Sequence, residues 1–304
     1  MKICFFGLGS IGKKHLNNLS HILKEKKNEF EIHAYRTSNR LSGLKILDKE
    51  IFELDKVDTN YDIVFITNPT SRHFETIEYM SDKTKHMFIE KPIFEDINYN
   101  LEEINFGEGV YYIAAPLRYS SVIQKLKEIK NDYNIYSIRA IASSYLPDWR
   151  PKQDYREVYS AKKELGGGVS IDLIHEWDYL TYLFGFPKKI FNLQGQFSHL
   201  EIDSEDLSIY IAEYDDKLVE LHLDYFARET KREIELFTDD GLIKADFVNN
   251  NIMLPGGNTL KLEDNDMYKN EMYHFFDLIY NKKRNLNSPE HAFKVLKLIK
   301  ESEL

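Results

Sequence analysis

Three glycines follow a short apolar run near the start of the chain, in the stretch Ile3-Cys4-Phe5-Phe6-Gly7-Leu8-Gly9-Ser10-Ile11-Gly12. The apolar run predicts a buried strand, and the amphipathic pattern after it predicts a helix that continues to about residue 26. At such a turn, Gly7 permits a sharp bend, Gly9 lets a phosphate approach the backbone, and Gly12 lets the helix lie close to the strand. The stretch therefore predicts a site for the pyrophosphate of a dinucleotide, with the backbone of Ser10 and Ile11 at the positive end of the helix.

The segment after the second predicted strand bears on the choice of coenzyme. It reads Tyr35-Arg36-Thr37-Ser38-Asn39-Arg40 and contains no carboxylate, whereas Rossmann units that prefer NAD usually have an acidic side chain there. Arg36 is suited to pair with a 2′-phosphate, and Ser38 and Arg40 would add donors. We therefore expect NADP rather than NAD as the preferred coenzyme; the alternative is that both arginines are solvated loop cations.

Composition restricts the class of protein. The 304 residues suffice for two domains with ordinary cores, and 42% of them are hydrophobic. The net charge of -10 comes without a polybasic stripe, so we expect no nucleic-acid partner. No apolar run approaches the ~18 residues of a membrane span, so no membrane partner is expected either. The one cysteine, Cys4, is expected to be a buried, inert thiol, which favours the reducing cytoplasm.

The pattern of predicted secondary structure differs between the two parts of the chain. Strand and helix patterns alternate in the first third, which predicts a doubly wound parallel sheet of the Rossmann type. After about residue 133, period-two stretches joined by short turns predict an α+β domain with an open, mainly antiparallel sheet. We expect a coenzyme-binding domain over residues 1–120 and a substrate-binding and oligomerisation domain over residues 121–304, with the C-terminal helices able to pack back on the first domain.

Polar residues also follow the strands predicted over residues 62–66 and 86–89, at the carboxyl edge where open α/β sheets bind ligands. We expect these residues to contact the coenzyme. The alternative is that Asn68 only forms a turn and that His73 is a surface histidine. A helix predicted over about residues 168–184 places Asp172 and His175 three apart, on one face. The predicted edge residues are Thr67, Asn68, Pro69, His73, Glu90 and Lys91.

Three ordered motifs resemble those of a known family. They are the opening G-x-G-x-x-G, the tripeptide Glu90-Lys91-Pro92, and Gly166-Gly167-Gly168-x₃-Asp172-x₂-His175-x₂-Asp178. Together with the terminal pattern Tyr268-Lys269-Asn270-Glu271-Met272-x-x-Phe275, they are similar to the Gfo/Idh/MocA oxidoreductases, which include glucose–fructose oxidoreductase and inositol dehydrogenase. The resemblance implies NAD(P)-dependent hydride transfer on a sugar or polyol hydroxyl, with the lysine beside the nicotinamide.

The same resemblance implies catalytic roles. Lys91 would hydrogen-bond the reacting oxygen, and His175 would remove the alcohol proton as hydride leaves. Asp172 would orient the imidazole, although better-known members place this aspartate four residues before the histidine rather than three. The proposal requires the ammonium and the imidazole to meet at a single oxygen. The alternatives are a surface lysine in a turn and a satisfied core histidine.

The segment over residues 145–161 is unusually rich in aromatic, arginine and acidic side chains for a loop. Aromatic faces stack on sugars, and guanidinium groups clamp carboxylates or phosphates. The segment resembles the branch of the family that acts on nine-carbon acidic sugars or nucleotide-linked sugars of surface glycans; the alternative is a loop that packs between domains or subunits. The predicted substrate contacts are Arg118, Tyr145, Trp149, Arg150, Tyr155, Arg156, Tyr159, Asp172 and His175.

Alternative functions, metal binding and oligomeric state can also be considered from the sequence. A non-catalytic nucleotide-binding regulator or scaffold, and an enzyme that uses its coenzyme catalytically in elimination or hydrolysis, remain open. No His, Cys or Asp cluster has ligand spacing, so no metal is expected. An open apolar sheet face, predicted from Leu207, Ile209, Ile211, Leu221 and Leu223, would be covered in a homodimer or homotetramer.

Overall fold

The computed structural model describes residues 1–26, 29–38 and 40–302. The chain divides into two compact units. The first contains Met1–Pro116 together with Tyr268–Leu296, and the second contains Leu117–Met267 with the chain from Lys297 onward.

Strands and helices alternate in the first unit, and strands dominate the second. In the described part of the chain the strands are β1 (Lys2–Phe6), β2 (Glu31–Tyr35), β3 (Lys49–Ile51), β4 (Tyr61–Ile66), β5 (Thr84–Ile89), β6 (Tyr111–Ile113), β7 (Ile135–Tyr145), β8 (Lys189–Gly195), β9 (Leu207–Glu213), β10 (Leu218–Asp224), β11 (Phe226–Thr238), β12 (Gly241–Asp246), β13 (Asn251–Met253) and β14 (Thr259–Lys261). The helices are α1 (Ser10–Lys26), α2 (His73–Met80), α3 (Ser121–Ile129), α4 (Val169–Asp172), α5 (Ile174–Phe184), α6 (Met267–Asn281) and α7 (Pro289–Lys300).

The sheet of the first unit is parallel and has the order β3-β2-β1-β4-β5-β6. This is the strand order of a dinucleotide-binding Rossmann fold, so the predicted class is confirmed. The order reverses between β1 and β4, where the glycine turn after β1 and the polar residues after β4 lie side by side.

Aromatic side chains join this sheet to a helix from the end of the sequence. Phe65 of β4 stacks on Phe5 of β1 at a centroid distance of 4.5 Å, and Phe275 of α6 lies 5.3 Å from Phe88 of β5. All four rings are fully buried. Burial of this apolar surface is the main favourable contribution to folding, and it explains why the C-terminal helix α6 belongs to the first unit.

The second unit is built on a mixed, mostly antiparallel sheet of order β14-β13-β12-β11-β7-β10-β9-β8. The pair β7 and β10 is parallel, and the other neighbours are antiparallel. The predicted open α+β sheet is therefore confirmed. The short strands β13 and β14 were not predicted, because three residues show too little alternation.

Two local predictions need correction. The helix predicted over about residues 168–184 is broken at Leu173, whose backbone (φ −97°, ψ 23°) separates α4 from α5. The predicted apolar face also mixed two sides of the sheet: Ile211 is exposed, whereas Leu221 and Leu223 are fully buried. Leu221 lies opposite Tyr210 in the register, so it shares the covered face with the even-numbered residues of β9.

Candidate active site

The glycine turn has the geometry that a pyrophosphate requires. Gly7 has φ +95°, and a Cβ there would lie 2.8 Å from the backbone of Asn68. A Cβ on Gly12 would lie 2.6 Å from the carbonyl oxygen of Gly7, which explains the close approach of α1. A Cβ on Gly9 would meet no atom within 4 Å, so the backbone there borders open space in front of the start of α1. The residues present therefore fit a dinucleotide coenzyme.

Two residues after β4 support this turn. Thr67 donates its hydroxyl to the carbonyl of Gly7 at 2.7 Å, so this side chain stabilises the turn. Asn68 donates its amide nitrogen to Thr76 at 2.8 Å, and its Oδ1 has no hydrogen-bond partner among the described residues. Pro69 is exposed beside it. Thr67 therefore supports the glycine turn, whereas the amide oxygen of Asn68 is buried.

Two buried histidines hold the loop that carries Lys91. His15 of α1 donates Nε2 to the carboxylate of Glu90 at 2.5 Å, and His73 of α2 has Nδ1 3.0 Å from the carbonyl of Pro92. Burial raises the pKa of Glu90, but the hydrogen bond and charge of His15 outweigh it, so the pKa lies below the usual range. The sequence did not single out His15, because a histidine on the apolar face of a helix has no distinctive pattern.

His73 is not the surface histidine that the alternative interpretation expected. Its side chain is 1% exposed, and its Nε2 lies 3.1 Å from the carbonyl of Asn68. Burial lowers the pKa of this imidazole more than its contacts with carbonyl groups raise it. The ring therefore ties the segment after β4 to the loop after β5, and so helps to place Lys91.

The predicted adenosine end of the coenzyme site contains a carboxylate that the sequence segment itself lacks. Arg36 donates Nη1 to Glu50 of β3 at 2.7 Å. Ser38 and Arg40 are exposed, and Asn39 between them lies outside the described residues. The segment itself contains no carboxylate, as its sequence shows, but the folded chain brings Glu50 to it from β3.

In the second unit, Asp172 is the acceptor for two phenols. The hydroxyls of Tyr159 and Tyr225 both donate to its carboxylate, the latter at 2.5 Å. Burial raises the pKa of each phenol well above its usual value, and the charge of Asp172 raises it further, so both stay protonated and donate. The break at Leu173 separates Asp172 from the helix of His175, so the expectation that both lie on one continuous helix face was wrong.

His175 lies beside an ion pair that sequence reasoning missed, between the partly exposed Arg232 and the buried Glu176. Its Nε2 is 2.9 Å from Nη2 of Arg232 and 3.3 Å from Oε1 of Glu176. Arg232 and Glu176 are themselves 2.9 Å apart, and the glutamate side chain is fully buried. Because a guanidinium only donates, Nε2 of the histidine is the acceptor and carries the lone pair. The available signal was Glu176, a charged residue in the mostly apolar helix α5.

The predicted substrate segment forms an aromatic cluster around Tyr225. Trp149 meets this ring edge to face at 5.3 Å and is 37% exposed. The guanidinium of Arg150 lies 5.9 Å from the ring of Tyr159, and that of Arg228, a residue the sequence did not single out, lies 3.7 Å from the ring of Tyr145. Arg228 stands where the register between β7 and β11 shifts, and such bulges re-aim side chains.

Other predicted substrate contacts already have protein partners. Arg156 pairs with Asp154 at 2.7 Å and with Glu201 at 3.0 Å. Tyr155 accepts from the backbone of Glu201 at 3.3 Å. Arg118 is 2% exposed, and two of its nitrogens bind the two oxygens of Asp178 at 2.8 and 2.7 Å.

Breaking the pair of Arg118 and Asp178 is expected to destabilise the protein. In the variant Asp178→Asn a buried guanidinium loses its bidentate carboxylate partner, and breaking such a buried pair costs about 3–5 kcal/mol of unfolding free energy. Urea titration followed by circular dichroism measures the change. The double variant Arg118→Met/Asp178→Leu removes both charges and should recover most of the lost unfolding free energy. A stable D178N protein that has lost substrate affinity would instead assign Arg118 to substrate binding.

The part of the chain that the structure describes also bears on metal binding and on membranes. No group of three or more His, Cys, Asp or Glu side chains there is arranged to hold a metal ion. None of the helices there combines the length and the apolar character that crossing a bilayer demands.

Two family models match the chain. One, an oxidoreductase family with an NAD-binding Rossmann fold, matches residues 1–105, and the other, the GFO/IDH/MocA C-terminal domain, matches residues 123–244. The chain belongs to the Gfo/Idh/MocA family. This confirms the resemblance predicted from the motifs and gives the first unit the NAD(P)-binding role that its glycine turn indicates.

Among curated proteins, the family member myo-inositol 2-dehydrogenase of Thermotoga maritima is 26% identical over 192 residues. The match covers 61% of this chain and 55% of the relative, and the chain spans about half the length of the first curated relatives it matches.

Solved structures of the same fold match along nearly the whole chain. An oxidoreductase from Thermotoga maritima has a TM-score of 0.83 at 20% identity. The match covers 98% of this chain and 94% of the oxidoreductase chain. The WlbA dehydrogenase from Bordetella pertussis, in complex with NADH and UDP-GlcNAcA, has a TM-score of 0.78 at 13% identity. The match covers 99% of this chain and 95% of the WlbA chain. At these identities the likeness shows the fold alone.

Proposed function

We propose that this protein is an NAD(P)-dependent dehydrogenase or reductase that acts on a hydroxyl or carbonyl group of a sugar or sugar derivative. The observation that carries the proposal is the coenzyme turn with open space at Gly9, on a chain whose family models describe oxidoreductases. Myo-inositol 2-dehydrogenase, a relative by sequence, supports the choice of a polyol or sugar hydroxyl.

The residues have distinct proposed roles in this reaction. When bound, the coenzyme accepts or returns the hydride. In the direction of oxidation, Lys91 hydrogen-bonds the substrate oxygen, and Nε2 of His175 takes the hydroxyl proton as the C–H electron pair leaves and the C=O bond forms. In the direction of reduction, Nε2 of His175 returns this proton to the substrate oxygen. The proposal requires both side chains to reach one oxygen.

Asp172 and Arg232 are proposed to position the imidazole rather than to react. Asp172 holds the hydroxyls of Tyr159 and Tyr225, and so fixes the segment that precedes His175. Arg232 donates to the lone pair of Nε2, and Glu176 in turn fixes Arg232. The guanidinium must give up this contact when the imidazole takes a proton.

For the substrate we propose a sugar that carries an acid or a nucleotide. Trp149 and Tyr159 present partly exposed aromatic faces, which suit a sugar ring. Neither Arg150 nor Arg228 has a carboxylate partner among the described residues, although both lie on tyrosine rings of the same cluster. A planar guanidinium group that has no carboxylate partner in the protein is suited to bind a carboxylate or phosphate of the substrate.

Titration with NADH and NADPH, followed by a panel of sugars read at the nicotinamide absorbance, tests the function. We expect coenzyme binding and turnover of at least one anionic sugar, with neutral analogues weaker. Tight binding with no turnover across the panel would favour a regulator or scaffold. Coenzyme retained through purification, with substrate consumed but no net change in absorbance, would favour catalytic use of the coenzyme in elimination or hydrolysis.

The proposal includes the assembly and compartment predicted from the sequence. Phe191, Leu193 and Ile211 lie exposed on neighbouring strands of the second sheet, and a second copy of the chain would cover them in a homodimer or homotetramer. Light scattering after gel filtration measures the mass. The reducing cytoplasm suits the buried thiol of Cys4, the one cysteine of the chain.

A further inference from the structure

Strand β3 brings a carboxylate to the end of β2. The register of the two parallel strands pairs Ala34 with Glu50 and Tyr35 with Ile51. Glu50 therefore stands beside the point where the chain leaves β2, and its Oε2 lies 2.7 Å from Nη1 of Arg36. Arg36 is the residue on which the predicted preference for NADP rests.

The carboxylate of Glu50 is held firmly. The backbone N–H of Ser42 lies 2.9 and 3.0 Å from its two oxygens, and the Ser42 hydroxyl donates at 2.9 Å. The glutamate side chain is 9% exposed. Burial raises the pKa of Glu50, but the hydrogen bonds from Ser42 and Arg36 outweigh it and lower the pKa below the usual range, so the group is charged at neutral pH.

The guanidinium of Arg36 is fixed at the same time. It donates to the carbonyl of Arg40 as well as to Glu50, and 18% of its side chain is exposed. A 2′-phosphate bound here would have to share or displace Glu50, and its negative charge would lie close to that carboxylate. The 2′-hydroxyl of NAD carries no charge, so the carboxylate of Glu50 does not repel it.

We propose that Glu50 is a specificity-determining residue for the coenzyme: by holding Arg36, it weakens the binding of NADP(H) relative to NAD(H). This inference rests on the proposed function, because it requires the adenosine ribose to lie at the end of β2. It makes the Arg36–Glu50 pair, rather than Arg36 alone, the determinant of selectivity.

Fluorescence titrations of NADPH and NADH against the full chain, at one ionic strength, test the proposal. In Glu50→Gln the amide oxygen can still accept from Ser42 while the charge is removed. We expect NADPH to bind about tenfold or more tightly, since tenfold corresponds to about 1.4 kcal/mol, while NADH affinity stays within about twofold. Arg36→Gln should weaken NADPH, and in the double variant E50Q should no longer improve it.

Glu53→Gln is the matched control, because Glu53 is an exposed glutamate three residues further on that pairs with Lys56. It should leave the ratio of the two affinities unchanged. Equal changes in NADH and NADPH binding in E50Q, or weaker NADPH binding, would overturn the inference while leaving the proposed function intact. If the unaltered protein binds neither coenzyme, the proposed function fails and this inference fails with it.

Discussion

The variant Lys91→Ala is expected to lower kcat by about 10²–10⁴-fold, the contribution typical of a positioned proton donor or acceptor. Its affinity for NADH should change little, because the predicted pyrophosphate contacts come from the turn at Gly7–Gly12. The physical reason is that the ammonium interacts with the reacting oxygen, where charge changes during hydride transfer. Stopped assays of turnover and separate coenzyme titrations measure the two quantities.

Lys24→Ala is the control, since Lys24 is an exposed lysine on α1. It should keep both turnover and coenzyme affinity. If K91A retains turnover within about threefold of the unaltered protein, Lys91 does not serve the reacting oxygen. If K91A loses coenzyme affinity as strongly as turnover, the loop held by His15 and His73 has a binding role instead.

The second large effect is expected for His175→Ala. Loss of the proposed proton acceptor should lower kcat by about 10²–10⁴-fold. Added imidazole should restore part of the rate, because a free imidazole can enter the space left by the side chain and take the same proton. A role limited to packing would not respond in this way, so rescue separates a catalytic group from a structural one.

The exposed His199 offers the comparison for this experiment. H199A should retain full activity and show no response to imidazole. An H175A protein with normal turnover would remove His175 from the mechanism. If H175A has low activity that imidazole does not raise, and a lowered free energy of unfolding, the neighbouring ion pair of Glu176 and Arg232 has been disturbed instead.

Local patterns carried most of the fold prediction. The helix predicted to follow the glycine turn and to continue to about residue 26 is present as α1, which ends at Lys26. Alternation predicted the mainly antiparallel second sheet, but not its short strands β13 and β14. The break at Leu173 was missed, because the run around it contains no Pro or Gly to mark it.

Contacts between distant segments account for the missed site residues. Glu50 reaches Arg36 through strand pairing, Arg232 of β11 contacts His175 of α5, and His15 reaches Glu90 from a separate helix. Each partner is an ordinary charged or polar residue within its own segment. No periodicity distinguishes it from a solvated side chain.

By itself the sequence determined the Rossmann unit, the antiparallel second sheet, the family and the candidate residues Lys91 and His175. These follow from motifs and periodicities that act within a few residues, where backbone sterics and burial leave few choices. Only the tertiary structure decided which charges are paired: Arg118, Arg156 and Arg36 each have a carboxylate partner, 2 to 60 residues away in sequence. Pairing depends on distances of a few ångströms between side chains, and only the folded chain sets those distances.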